Sequence, residues 1–206
     1  MTRKIKILHC LETIGSGGVE QRRRLIFKHL NTELFEHKVI CTKAIGALPE
    51  QIKTLGVEII EVGEFSSFFE FNKYREVIRV IKSFKPDIIH GAVFEGVSMA
   101  CVAGKCTGSF PIIAEETSEP SNRNWKGNLL AKLLYILADK VVAVSPGVQH
   151  YLSETLNLSL SKTITINNGV RDHEATNTQK LKKLRLEYNI KENEIVIIKC
   201  IFFKMS

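Results

Sequence analysis

Short apolar runs alternate with longer segments of helical periodicity along most of the chain. The runs "KIKILHC", "HKVICT", "VEIIEV", "PDIIH", "PIIAEE", "KVVAVS" and "KTITINNG" are rich in isoleucine and valine. They stop at glycine, proline or polar residues, which predicts seven strands. Between them, "VEQRRRLIFKHL", "FNKYREVIRVIKSF", "EGVSMACVAGK", "WKGNLLAKLLYILAD" and "PGVQHYLSETL" predict helices. In the second of these, Phe71, Tyr74, Ile78, Ile81 and Phe84 recur at helical spacing and predict one core-facing stripe. Strands that are apolar on both faces, joined by helices, are those of parallel sheets. The pattern therefore predicts the α/β class, with a doubly wound, mostly parallel, Rossmann-like sheet.

The pattern changes after Asn168-Gly169. "VRDHEATNTQ" is polar and irregular, "KLKKLRLEYNIKENE" predicts a short helix and loop, and "IVIIKCIFFKMS" is one more apolar run. This division predicts a domain over 1–170, followed by 171–206 as a linker, a helix and the first strand of a second domain that the chain lacks.

At 206 residues, 44% apolar and 25% charged, the chain can build one full soluble core. Its formal charge of +7 suits phosphates, acidic lipid headgroups or nucleic acid, and equally a solvated basic face. Without an RNP-like motif, zinc-ligand spacing or a separate basic tail, the sequence offers nothing for nucleic acid, and "QRRRL" reads as a solvated helix face. The five cysteines form no CxxC, and several lie in apolar runs as small core residues, which suits the reducing cytoplasm. The apolar part of "MTRKIKILHCLE" is too short for a signal peptide, and Lys132, Asp139 and Lys140 spoil "LLAKLLYILADKVVAV" as a membrane span. A peripheral contact is still open. The segment from Phe68 to Lys85 sets Phe68, Phe69 and Phe71 beside Lys73, Arg75, Arg79, Lys82 and Lys85, unless those aromatics pack on the sheet instead.

Candidate chemistry gathers at the strand ends. In "CLETIGSGGVEQRRRL", Gly15, Gly17 and Gly18 lead from the first strand into the first helix. Such a turn bares backbone N–H groups at a positive helix end, where a phosphate or diphosphate fits; a tight turn without ligand is the plain alternative. A dinucleotide fingerprint would need a third glycine where Glu20 stands, and an acidic residue after "HKVICTK". With only Thr42 and Lys43 available there, an NAD(P)-binding oxidoreductase is the weaker alternative. His90, Glu115, Glu116 and Thr117 close the fourth and fifth strands, as catalytic groups or as hydrogen-bonded and salt-bridged strand ends. Ser145-Pro146 reads as a helix N-cap, and Asn168-Gly169 as a turn.

Taken in order, "ILHCLETIGSGGVEQ", "KPDIIHGAVFEG", "IIAEETSE", "ADKVVAVSPGVQHYL" and "ITINNGV" resemble the N-terminal domain of the family-four glycosyltransferases over about Lys4 to Val170. The resemblance implies a B-type fold of two facing Rossmann-like domains. It also implies transfer of a sugar from a nucleotide-sugar with retention, without metal or cofactor. The N-terminal domain of that family mainly holds the acceptor, and the C-terminal domain holds the nucleotide. Gly17, Gly18 and Glu20 then belong to a loop beneath a donor diphosphate or an acceptor phosphate. His90 matches the first histidine of the family's His-x-His, with Ala92 at the second, and Glu116 stands where a histidine is common. Glu116 is the expected acceptor of the hydroxyl proton, with His90 beside it. Glu115, Thr117, Asn168 and Gly169 are expected to bind substrate.

"INNGV" matches the family hinge "IPNGV", with Asn167 for proline and Arg171 then Asp172 for the aspartate that follows. The family's paired glutamates, arginine and lysine of the donor side have no room after Glu194. What is expected is the acceptor-binding half of a retaining enzyme, cytoplasmic or at the inner membrane face, acting on a glycan or lipid-linked acceptor in surface-polysaccharide synthesis. Nucleotide-sugar would bind only with a second domain. The alternative is a non-catalytic remnant or binding module of the same fold.

Overall fold

All seven predicted runs form strands of a single sheet in the computed structural model, which describes residues 3–108, 110–120, 123–169, 178–191 and 193–194. They are β1 (Ile5–Ile14), β2 (Phe35–Ala44), β3 (Glu58–Glu61), β4 (Ile88–Ala92), β5 (Ile112–Glu116), β6 (Lys140–Ala143) and β7 (Thr163–Thr165). Their order is β3-β2-β1-β4-β5-β6-β7, and every neighbouring pair is parallel. The chain winds outward from β1 to β3, crosses back to β4 and winds outward again. The switch point lies between β1 and β4, where an open sheet of this kind forms a crevice at the strands' carboxyl ends.

The connecting helices pack in two clusters, one on each face of the sheet. Helices α1 (Gly18–His29) and α2 (Leu48–Lys53) cover one face, through a cluster of Phe27, Leu48 and Ile52 with Leu11, Ile14, Val39, Cys41 and Ala92. The other face carries α3 (Phe71–Phe84), α4 (Val93–Ser98) and α6 (Trp125–Leu137), over a larger cluster. α4 runs on through a π-helical stretch, Met99–Ala103, into α5 (Gly104–Thr107). α7 (Pro146–His150) likewise continues in a π-helical stretch, Tyr151–Thr155.

Two glycines let α4 lie directly on the sheet. A Cβ on Gly96 would fall on the carbonyl of Cys10 in β1, and one on Gly91 would sit 2.6 Å from Gly96 O and 2.8 Å from Ala100 Cβ. With this close approach Val97, Met99, Ala100, Cys101 and Ala103 become fully buried. The turn from β4 into α4 holds Val93 at φ 64°, a left-handed conformation that a β-branched residue rarely adopts. Ser145 caps α7 as expected, accepting from Val148 N at 3.3 Å, and Asn124 caps α6, accepting from Gly127 N at 2.9 Å.

Two expectations about helices need correcting. The core stripe of α3 is Tyr74, Val77, Ile81 and Phe84, whereas Phe71 is 71% exposed and Ile78 is half-buried. Phe71 opens the helix, one turn outside the part that touches the sheet. Helix α2 was not foreseen, because six residues starting "LP" are too few to show a period.

The chain divides into two units, Met1–Gly169 and Val170–Ser206. Within the second, α8 (Thr178–Glu187) has no buried residue. The apolar run at 195–206 and the polar stretch at 170–177 lie outside the described residues. Among the described residues, no helix is long and apolar enough to cross a membrane.

Candidate functional site

The glycine turn lies at the crevice. Gly17 is the N-cap of α1 with an extended backbone, φ −70° and ψ 164°, and neither Gly15 nor Gly18 has a positive φ. The turn therefore does not require glycine for its handedness. The space over Gly17 is taken by Glu20, whose carboxylate lies where a Cβ of Gly17 would be; Gly18 faces open space. An incoming anion would have to swing the Glu20 side chain aside.

One turn further along α1 stand the residues that organise the site. Arg23 is 4% exposed and donates from Nη2 to Glu115 Oε2 at 3.2 Å. Arg22 binds the other oxygen of Glu115 through Nη2 and Asn168 Oδ1 through Nη1. "QRRRL" is therefore not a solvated face, which corrects the expectation. Two of its guanidiniums turn inward because a carboxylate at the end of β5 neutralises them, and only Arg24 keeps a surface position, against Gln21. A buried charge persists where it is paired in this way.

Beneath the arginines lies a layer of three histidines. His9 in β1 and His90 in β4 are register partners, with ring centroids 5.4 Å apart. His9 Nε2 and His37 Nδ1 of β2 share a hydrogen bond of 3.1 Å, and the Phe27 ring of α1 meets His9 edge-on at 5.1 Å. His90 Nε2 lies 3.4 Å from Glu115 Oε2 and 3.5 Å from Arg23 Nη2. Burial first, and then the charge of Arg23, push the His90 imidazole down to about 4. It is thus neutral near pH 7, and the carboxylate fixes its proton on Nε2. Burial and Arg23 likewise hold His9 well below its ordinary range, and His37 below it. Burial alone would raise Glu115, but the hydrogen bond with His90 and the charges of Arg23 and Arg22 outweigh it and bring the carboxyl to about 2. Among the described residues His9 Nδ1, His37 Nε2, His90 Nδ1 and Arg23 Nε have no hydrogen-bond partner. No group of His, Cys, Asp or Glu there could hold a metal ion.

Glu116 belongs to a different cluster. Successive residues of a strand point to opposite faces, so Glu115 reaches α1 while Glu116 reaches α6. Glu116 is 4% exposed; its Oε2 accepts from Tyr135 Oη at 2.7 Å and Arg123 Nη1 at 3.1 Å, and its Oε1 from Thr117 N at 3.2 Å. Arg123 and Asn128 also bond Tyr151 Oη, at 3.1 and 2.8 Å. This geometry anchors Arg123, just before α6, on β5 and on the π-helical stretch that follows α7. The carboxylate expected to receive a proton is already engaged by three donors.

The predicted positions therefore separate. Glu115, His90 and Asn168 converge through Arg22 and Arg23, with Gly17, Gly18 and Glu20 at the start of the same helix. Glu116 lies across the sheet, Thr117 meets it only through its backbone N–H, and Gly169 follows Asn168 with open space around it. Arg22, Arg23, His9, His37, Arg123, Tyr135 and Tyr151 were not foreseen. The recurrence of histidine in "ILHC", "EHKV" and "IIHG" was a legible signal that the three inner strands share a polar layer.

The family model described as Glycosyltransferase Family 4 matches residues 16–174. No curated protein matches the sequence. Among solved structures, a glycosyltransferase from Rickettsia africae superposes with a TM-score of 0.70 at 22% identity, over 93% of this chain and 51% of its own. Anabaena HepE in complex with UDP-glucose superposes with a TM-score of 0.73 at 17% identity, over 92% of this chain and 51% of its own. A UDP-N-acetylglucosamine 2-epimerase shares the fold with a TM-score of 0.57 at 14% identity. The chain thus spans about half the length of these structures, and at such identities they show a common fold, that of one Rossmann-like half of a B-type glycosyltransferase. With the family match covering most of the chain, from the glycine turn past Asn168, the chain belongs to glycosyltransferase family 4.

Proposed function

We propose that this chain is the acceptor-binding half of a retaining glycosyltransferase whose nucleotide-sugar is held by a second half. The observation that carries this reading is the position of Arg22. One guanidinium ties the end of β5, through Glu115, to Asn168, directly behind the glycine turn. It draws three strand-end motifs, far apart in sequence, into one polar crevice wall. Glu115 and Asn168 orient Arg22, and the glycine turn offers its N–H groups to an acceptor phosphate once Glu20 moves aside. His90, neutral and proton-bearing on Nε2, holds Glu115 in place. Glu116 acts as a positioning residue that holds Arg123 and Tyr135 of the α6 side against the end of β5.

On this reading the reaction needs neither metal nor cofactor, and the acceptor is a glycan or lipid-linked sugar used in cell-surface polysaccharide, handled at the cytoplasmic membrane face. Family membership and the anion-suited turn support that assignment. A nuclear magnetic resonance titration with sugar phosphates tests it. The amide signals of Gly17 and Gly18 should move on titration, and Arg22→Met should abolish the movement. Shifts confined to other regions, or unchanged in the variant, would refute the reading.

A non-catalytic binding module remains the second reading, favoured by the full engagement of Glu116. The oxidoreductase alternative finds no support here: Thr42 Oγ1 donates to Glu12 O at 2.6 Å and Lys43 pairs with Glu64, so both are turned to local partners.

A further inference from the structure

Asn168 is the only asparagine of the sequence that precedes a glycine. In such a pair the second residue's main-chain nitrogen can reach the first residue's side-chain carbonyl, because no Cβ stands in its path. The fold leaves that path clear. Asn168 and Gly169 are both exposed, and a Cβ built on Gly169 would meet nothing within 4 Å. Among the described residues, no backbone carbonyl accepts from the Gly169 N–H.

A cation on the side-chain carbonyl sets Asn168 further apart. Arg22 Nη1 donates to Asn168 Oδ1, while Nη2 of the same guanidinium is held by Glu115. Asn31, Asn124 and Asn128 also accept through Oδ1, from Glu33 N, Gly127 N and Tyr151 Oη, but these donors are neutral. Thr32, Trp125 and Leu129 follow them, each with a side chain in the way. A guanidinium draws electrons from the Asn168 carbonyl carbon. It also stabilises the negative charge that gathers on Oδ1 when a nucleophile adds there.

We propose that Asn168-Gly169 is a self-modification site, at which Arg22 promotes deamidation of Asn168. The Gly169 amide proton passes to hydroxide, and the nitrogen adds to Cγ of Asn168 as the carbonyl π electrons move to Oδ1. When that charge returns, the Cγ–Nδ2 bond breaks and Nδ2 leaves as ammonia, with a proton from water. The cyclic imide then takes up one water. Opening at Cγ gives aspartate, and opening at the main-chain carbonyl gives isoaspartate, which adds one carbon to the main chain. Either product carries a new carboxylate at position 168. Arg22, Arg23 and Glu115 together carry a single positive charge, which that carboxylate cancels. An anion at the glycine turn then loses its cation. This last consequence rests on the acceptor reading; the modification does not.

The test is peptide mapping by mass spectrometry of the full chain aged at neutral and at mildly alkaline pH. The tryptic peptide covering 163–171 should gain one dalton at Asn168, faster at the higher pH, with isoaspartate among the products. The rate should exceed that of the same chain unfolded in urea. Arg22→Met should slow it roughly tenfold, the worth of one charge-assisted hydrogen bond. Gly169→Ala should slow it severalfold, with circular dichroism and Tm unchanged, because the methyl group has room and φ is not positive. An unmodified peptide, a gain at Asn167 instead, or a rate no faster than in urea would overturn the inference. So would a rate equal or higher in Arg22→Met. Asn168→Asp should separately weaken pyrophosphate binding severalfold. Equal binding there would overturn the consequence drawn for the glycine turn, whereas the modification is decided by mass alone.

Discussion

Replacing Glu115 by glutamine keeps the side-chain shape and removes the charge between two arginines. Arg22 keeps some solvent contact and can rehydrate, with 16% of its side chain exposed, but Arg23 has 5% and cannot. Its guanidinium would face only the neutral His90 and an amide oxygen. Breaking a buried pair by deleting one partner typically costs about 3–5 kcal/mol. The amide still accepts one hydrogen bond, so the lower end applies, about 3 kcal/mol. For a domain of this size that is a fall in Tm of roughly 6–12 °C. The second perturbation is Arg23→Met in the Glu115→Gln background, which removes the stranded charge and fills its space. Most of the loss should return, giving a coupling energy of at least about 2 kcal/mol in a double-mutant cycle measured by urea unfolding. A Glu115→Gln variant within about 1 kcal/mol of the parent, or a double variant that simply adds the two losses, would refute the claim that this pair is the anchor of the site.

The same cluster makes stability depend on acid. His90 falls from its ordinary 6.5 to about 4 on folding, so its contribution is complete above pH 6.5 and is lost as pH drops toward 4. His9 and His37 act in the same direction, and Glu115, held at about 2, adds a further loss below pH 4.5. For His90 alone the loss is about 3 kcal/mol, so Tm should fall between pH 6.5 and 4, and His90→Gln should flatten that slope; a Tm independent of pH over this range contradicts it. Gly96→Ala should destabilise by about 1–3 kcal/mol or prevent folding, because its Cβ meets the β1 backbone, which has no rotamer to yield; a stability equal to the parent's would show that α4 sits farther from the sheet. At the glycine turn, Glu20→Gln should strengthen binding of pyrophosphate, and Gly17→Val should weaken it. Equal binding by parent and both variants in calorimetric titration would remove the anion site.

The sheet was legible because parallel strands buried on both faces are written as unbroken Ile/Val runs, and each of the seven appears where its run stands. The side chains of the site were legible only one by one. Nothing near "QRRRL" reports that a carboxylate about 90 positions later will neutralise it, so a local reading leaves the arginines in water. Glu115 and Glu116 look like a pair in the sequence. The alternation of a strand sends one to α1 and the other to α6, a consequence available from the predicted strand but hidden by their adjacency. Phe71 shows the complementary limit: helical spacing gives a face, but not how far along the helix the sheet extends.

The central claim is that this chain holds an acceptor and leaves the nucleotide-sugar to another half. The direct measurement is calorimetric titration of the purified chain with UDP-glucose and a panel of other nucleotide-sugars, with radiolabelled transfer assayed on the same sample. The account predicts binding no tighter than millimolar and no transfer above buffer. Micromolar binding, or turnover that survives repurification, would contradict it.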